Sequence, residues 1–322
     1  MTQRCANRGR APGVGPWLTA LALCCLGLVV FAQTTSAQQL ARLQRTATLS
    51  SDFGSLHYAY SLAIDQRGYV YVADTGNNRI VKLDADGKAI AAIGTAGSGP
   101  GEFRMPEDVA VDLNGNIYVA DTKNNRVQKL TPTGQVIWAT AIQAPDGITV
   151  DRSGNVYVSA ALLHQIAKLN PKGDIIKSWG SYGKEPGQFQ YPHDIAIDSA
   201  GNLYVADFVN DRIQKFTSDG RFLKAWGELG DGQGQFHNPW GVAVDADNNV
   251  WVTDMSNHRL QTFTQDGKWL FSYGHYSETA LGAGEFNHPK GIAFGPKGDL
   301  WVAQPGIHAV DRLSAPQGKG AR

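Results

Sequence analysis

Six residue pairs stand out because they are unlike one another in a sequence that otherwise repeats: Tyr60-Ser61, Glu107-Asp108, Asp146-Gly147, His193-Asp194, Trp240-Gly241 and Lys290-Gly291. Five follow a proline directly, and the first follows Ala59. Their side chains span what a ligand site needs. His193 can move a proton or bind a metal. Glu107, Asp108, Asp146 and Asp194 offer carboxylate oxygens to a hard cation. Lys290 can steady an oxyanion and Tyr60 can act as a base, so His193, Tyr60 and Lys290 are the candidate catalytic groups. Tyr60 and Trp240 bury area while keeping a polar handle. The candidate ligand-binding set is therefore Tyr60, Glu107, Asp108, Asp146, His193, Asp194, Trp240 and Lys290. His193, Asp194 and Glu107 are the candidate ligands for a divalent metal, zinc or calcium.

These pairs can meet only if the chain brings distant segments to one axis. The clearest repeat unit is Pro239 to Gly267, PWGVAVDADNNVWVTDMSNHRLQTFTQDG. It reads as short apolar or alternating runs, rich in β-branched and aromatic residues, each stopped by Gly, Asn or Asp. That is a series of antiparallel strands joined by tight hairpins. The core of the first run recurs at Leu62, Val109, Ile148, Ile195, Val242 and Ile292, at intervals of 39 to 50 residues. Such a period with several strands per repeat predicts an all-β, six-bladed propeller of four-stranded antiparallel blades. The last unit ends soon after Leu313 and lacks a fourth strand, so residues 40–49 are expected to supply it and close the ring.

Within each unit the repeated residues read as structure. The second strand carries Tyr71, Tyr118, Tyr157, Tyr204, Trp251 or Trp301 at one fixed place, as packing between blades requires. Trp179 and Trp226, at equivalent fourth-strand places, are core candidates. Asp74 to Arg79, repeated at Asp121 to Arg126, Asp207 to Arg212 and Asp254 to Arg259, is a turn closed by a carboxylate and an Arg, not a catalytic pair needed four times. The third and sixth units have lost it, with Ala160 and Gln165 in one and Gln304 and Ala309 in the other. His164, His258 and His308 share a turn position with Asn78, Asn125 and Asp211, which points to a capping role. The linkers carry Gly-Glu/Gln-Phe-x-x-Pro except before the third unit, which is eight residues shorter and keeps only Pro145. Asp245-Ala-Asp-Asn-Asn opens like a calcium loop, but Val250 replaces its Gly and Ser256 its closing acid, so it is a hairpin.

The pattern Pro-x-Gly/Asp-Ile/Val-Ala-Val/Ile-Asp-x-x-Gly-Asn-Leu/Ile-Tyr-Val-Ala-Asp-x-x-Asn-x-Arg resembles the NHL repeat over residues 54–313. The resemblance implies a six-bladed propeller whose functions divide between protein or ligand binding and, in one branch, the peptidyl-α-hydroxyglycine amidating lyase. That branch holds zinc with three histidines, each after a Pro at this turn. This chain offers Pro192-His193 alone, with Glu107, Asp146, Trp240 and Lys290 after the other prolines.

Arg4, Arg8 and Arg10, an apolar run from Trp17 to Phe31 and then Thr35-Ser36-Ala37 form an export signal over residues 1–37, ahead of a propeller at 38–316 and a flexible tail at 317–322. The apolar run is short for a bilayer span, and Leu23 stands where a lipid-anchor signal places a small residue. The expected location is periplasmic or extracellular. All three cysteines fall in this signal, which removes disulfides and thiolate metal sites from the mature chain. The formal charge of the whole chain is zero, so nucleic acid is not an expected partner. The expectation is a monomeric, exported propeller that binds a protein, peptide or small ligand at its channel face. The alternative is a metal-dependent lyase or hydrolase like the amidating lyase.

Overall fold

The computed structural model describes residues 54–313 apart from 281 and 283. The proposed signal, the closing strand at 40–49 and the tail at 317–322 lie outside the described residues. Five sheets of four strands and one of three are each ordered as a simple antiparallel meander. The strands of blade two run Pro106–Val111, Ile117–Asp121, Arg126–Leu130 and Val136–Ala141, and the pattern recurs around the ring. Blade one starts at Ala59–Ile64, blade three at Pro145–Val150, blade four at Pro192–Ile197 and blade five at Pro239–Val244. The described strands of blade six are Ile292–Phe294, Leu300–Gln304 and Ala309–Leu313. No helix among the described residues is long and apolar enough to cross a membrane.

Sequence character falls off from axis to rim. Second strands such as Leu203–Asp207 are continuously apolar up to a closing Asp and are wholly buried. Fourth strands such as Ile175–Trp179 are mostly exposed. First strands face inward, and residues from all six line a central cavity of about 230 Å³.

Every buried cluster is shared between adjacent blades. Tyr118 packs among Ile148, Val156 and Leu169 of blade three, and Tyr204 among Val242, Val250 and Phe263 of blade five. Trp301 of blade six packs with Leu56, Leu62 and Val70 of blade one, so the last joint has the same apolar filling as the others. Burying such a ring contributes roughly 1.5–3 kcal/mol. The phenol of Tyr118 donates to Asp112 Oδ2 at 3.0 Å and the indole of Trp251 to Asp245 Oδ2 at 2.9 Å, which gives each ring's polar end a partner. Trp179 and Trp226 are half-buried, each packed against the apolar cluster at its joint and over a turn glycine of the next blade, Gly220 or Gly267.

The repeated Asp and Arg are structural, and their losses have a reason. Asp121 is fully buried, accepts from Arg104 N at 2.7 Å and lies 2.7 Å from Arg126 Nε. Arg126 then donates to the carbonyls of Ser98, Gly99 and Glu102 in the linker that enters its own blade. Arg212 and Arg259 hold residues 184–188 and 231–235 in the same way. Blade three has the short linker, hence no loop to hold and no Asp or Arg. In blade six Gln304 takes over the carboxylate's task by accepting from Asn287 N at 2.7 Å.

The histidines expected to cap their own turns instead join blades. Each sits in the left-handed region at the end of its turn, and its ring nitrogen accepts from the backbone N–H just ahead of the next blade's first strand. His164 accepts from Tyr191 N, His258 from His288 N and His308 from Tyr58 N, each at 3.1 Å. Asn78, Asn125 and Asp211 do the same for Met105, Ala144 and Asn238. Asp245 accepts from Asp247 N and Asn249 N, the hairpin geometry expected of that segment.

Candidate functional site

The unlike residues sit where the inner strands begin, and a bulge aims them. In blades one to five the register of the first strand slips within its first residues, between Pro192 and Ile195 in blade four and between Pro239 and Val242 in blade five. A bulge turns a side chain out of the ladder's alternation, here toward the axis. The second member of each pair sets how closely blades approach. A Cβ on Gly147 would strike the backbone of His193 and Asp194, one on Gly241 the carbonyl of Lys290, and one on Gly291 the backbone of Ser61. Where the second member is Asp it bridges instead. Asp108 accepts from Val109 N and from Ile148 N of the next blade, both at 2.7 Å. Asp194 does likewise with Ile195 N at 2.7 Å and Val242 N at 3.0 Å.

The first members converge. The imidazole of His193 stacks on the indole of Trp240, centroids 3.8 Å apart and planes 19° from parallel. Lys290 Nζ lies 3.5 Å from the centroids of both Trp240 and Tyr60. His193 Nδ1 is 2.7 Å from Asp146 Oδ1, yet the ring N–H does not point along that line, so this buried nitrogen has no well-formed hydrogen bond. Asp146 shares a hydrogen bond with Glu107. Phe208 meets His193 and Trp240 edge-on at 4.5 and 5.3 Å.

Burial sets the protonation of this ring. It pushes the Glu107 carboxyl up to about 8, helped by the charge of Asp146, and lifts Asp146 to about 6. It holds His193 unprotonated, down to about 3, and lowers Lys290 to about 8 against the pull of the two carboxylates. At neutral pH Glu107 thus carries a proton toward an ionised Asp146, beside a neutral imidazole and an ammonium between two aromatic faces. One buried acid, one neutral base and one amine with an accessible free-base form meet at one point.

All six first members are therefore brought together, while Asp108 and Asp194 lie beneath them with their oxygens committed to backbone N–H groups. That placement separates the expected metal ligands: Asp194 is occupied, Glu107 is bonded to Asp146, and His193 is the one imidazole. Among the described residues no group of three or more His, Cys, Asp or Glu is arranged to hold a metal. The residues do not fit the three-histidine zinc of the amidating lyase. Phe208 escaped the sequence reading. Its signal was there, since Thr75, Thr122, Ala161, Met255 and Pro305 fill that turn position in the other blades.

The sequence matches the NHL repeat at residues 103–130, 189–216 and 236–263. These fall in blades two, four and five, which keep both the long linker and the Asp–Arg clamp. No curated protein sequence matches the chain. Among solved structures it is similar to a streptogramin B lyase at 18% identity and a TM-score of 0.60, over 81% of this chain and 94% of that one. A gluconolactonase from Xanthomonas campestris matches at 15% identity and 0.61, over 81% and 88%. An auxiliary nutrient binding protein from Bacteroides ovatus matches at 12% identity and 0.65, over 85% and 76%. Identities this low show the fold alone. The chain is thus a six-bladed β-propeller that carries matched NHL repeats in blades two, four and five.

Proposed function

We propose that this is an exported propeller that binds a ligand, a small molecule or the end of a peptide or protein, at the mouth of its central channel. Tyr60, Trp240, His193 and Lys290 are the anchors, and Glu107 with Asp146 forms the polar floor. The observation that carries this reading is the convergence of six unlike residues within a frame that otherwise repeats. Solvated turn residues have no reason to assemble a stacked imidazole, a protonated carboxyl and an ammonium between two rings, and the desolvation of such a group costs stability unless a ligand recovers it. The fold neighbours include lyases, a lactonase and a nutrient binding protein, so the fold does not choose among activities. The metal-dependent lyase reading is not favoured, because its donors are not assembled here.

The test is a thermal-shift screen of the purified protein against small molecules and peptides, followed by calorimetry on hits. Trp240→Ala and Lys290→Met should each weaken a genuine ligand at least about tenfold, an effect of about 1.4 kcal/mol. Tyr182→Ala, on the exposed rim, should leave affinity unchanged. Ligands bound equally well by Trp240→Ala and His193→Ala would overturn the assignment.

A further inference from the structure

The turn between the second and third strands of each blade lies on the face of the channel mouth, as Phe208 shows by meeting His193 from the turn of blade four. In blades one, two, four and five the linker lies over this turn and is bonded to it twice. In blade two, Asn124 Nδ2 donates to Gly97 O at 2.8 Å and Lys123 N to Arg104 O at 3.1 Å. Blades one, four and five repeat both bonds at the same two places. Blade three makes neither among the described residues. Its short linker meets the turn only where Ala144 O accepts from Ala161 N at 3.1 Å. Leu163 stands in place of the Asn, and Leu162 N, the counterpart of Lys123 N, has no acceptor among the described residues. Both leucine side chains are exposed, 53% and 41%. The apolar surface continues from there. Exposed Tyr191 sets its ring edge-on to His164, the residue after Leu163, with centroids 4.9 Å apart. Exposed Val209 lies against the residue before Tyr191, its N–H donating to Gln190 O at 3.1 Å.

We propose that the bare turn of blade three is a docking site for an extended segment of a protein partner, laid where the other blades carry their own linker. The occupant is named by what it replaces. In four blades a stretch of chain fills this place and is held through its backbone carbonyls. In blade three the side-chain donor is gone and apolar surface stands in its stead, while the backbone donor remains. A segment that fits offers a carbonyl to Leu162 N–H and large apolar side chains to Leu162, Leu163, Tyr191 and Val209. Alternate residues of an extended chain face the same way, so its contacts fall on every second residue. Solvent gives no such reason for two adjacent leucines where blades one, two and five carry Gly, Lys or Ser followed by Asn. The inference goes beyond the channel mouth and stands without it.

The experiment selects random dodecapeptides displayed on phage against the purified full chain and, in parallel, against Leu162→Lys with Leu163→Asn. That double variant gives blade three the turn residues of blade two, and matching melting temperatures check that it folds. Peptides with large apolar residues at alternate positions should be enriched on the wild type alone. The leading one, synthesised and titrated by fluorescence anisotropy, should bind the double variant at least about tenfold more weakly. It should also slow hydrogen exchange at the Leu162 amide, a protection that unspecific apolar adhesion does not give. Enrichment of the same peptides by both proteins, or of none by the wild type, overturns the inference. If the double variant does not fold, Val209→Ser and the Leu162 amide decide in its place: undiminished binding together with unchanged exchange overturns it. Sedimentation velocity tests the other occupant. Self-association of the wild type that the double variant lacks would put a second copy of this chain on the turn and overturn its assignment to a different protein.

Discussion

His308, near the end of the described chain, accepts a hydrogen bond through Nδ1 from the backbone N–H of Tyr58, near its start, at 3.1 Å. The same bond from His164 joins blades three and four, and from His258 joins blades five and six. A protonated ring nitrogen cannot accept, so acid should loosen the joint that His258 holds. His258 faces His288, and burial with that neighbour lowers its pKa. The folded state therefore binds fewer protons than the unfolded one. The contribution of this bond is complete above the ordinary histidine value near 6.5 and falls as pH drops below it, by about 1 kcal/mol at most. Denaturant midpoints at pH 7.5 and 5.5 measure it. His258→Asn should flatten the difference, since Asn78 and Asn125 fill the same role without titrating.

Glu107 should impose the opposite slope. Its carboxyl is raised to about 8 in the folded protein, so stability is complete below the unfolded value near 4.5 and declines as pH rises toward 8. Glu107→Gln keeps a donor toward Asp146 and removes the titration. Its melting temperature should exceed the wild type's at pH 8 and converge with it at pH 5.

Gly241→Ala probes the spacing between blades five and six. The new Cβ would collide with the carbonyl of Lys290, a backbone atom that cannot swing aside. A loss of about 1–3 kcal/mol is expected in equilibrium unfolding, together with a change in Trp240 fluorescence as its contact with Lys290 loosens.

Arg126→Ala should release the linker of blade two. The substitution leaves buried Asp121 without its cation and frees the carbonyls of Ser98, Gly99 and Glu102. A cost of about 3 kcal/mol is expected, with faster amide hydrogen exchange confined to residues 97–103.

The blades were legible in the sequence because their cause is local. Period, hairpin residues and the fixed Tyr or Trp on each second strand all act within one repeat. The candidate site was legible as a set of exceptions, the residues at 60, 107, 146, 193, 240 and 290 that break an otherwise constant frame. What each does was not legible, because that depends on which blade lies beside it. Asp108 and Asp194 look like ligands in the sequence, but backbone N–H groups of the next blade, at Ile148 and Val242, claim their oxygens. His164, His258 and His308 looked like local caps for the same reason, their acceptor role being visible only across a joint.

Because every buried cluster takes its residues from two blades, no blade owns an interior. The ring behaves like an arch, in which each stone is held only by its neighbours and none can be eased out alone. Whatever rests on Tyr60, Glu107, Asp146, His193, Trp240 and Lys290 touches all six stones at once. A ligand there would be a hub to which every spoke is fastened, and its departure would slacken the entire wheel.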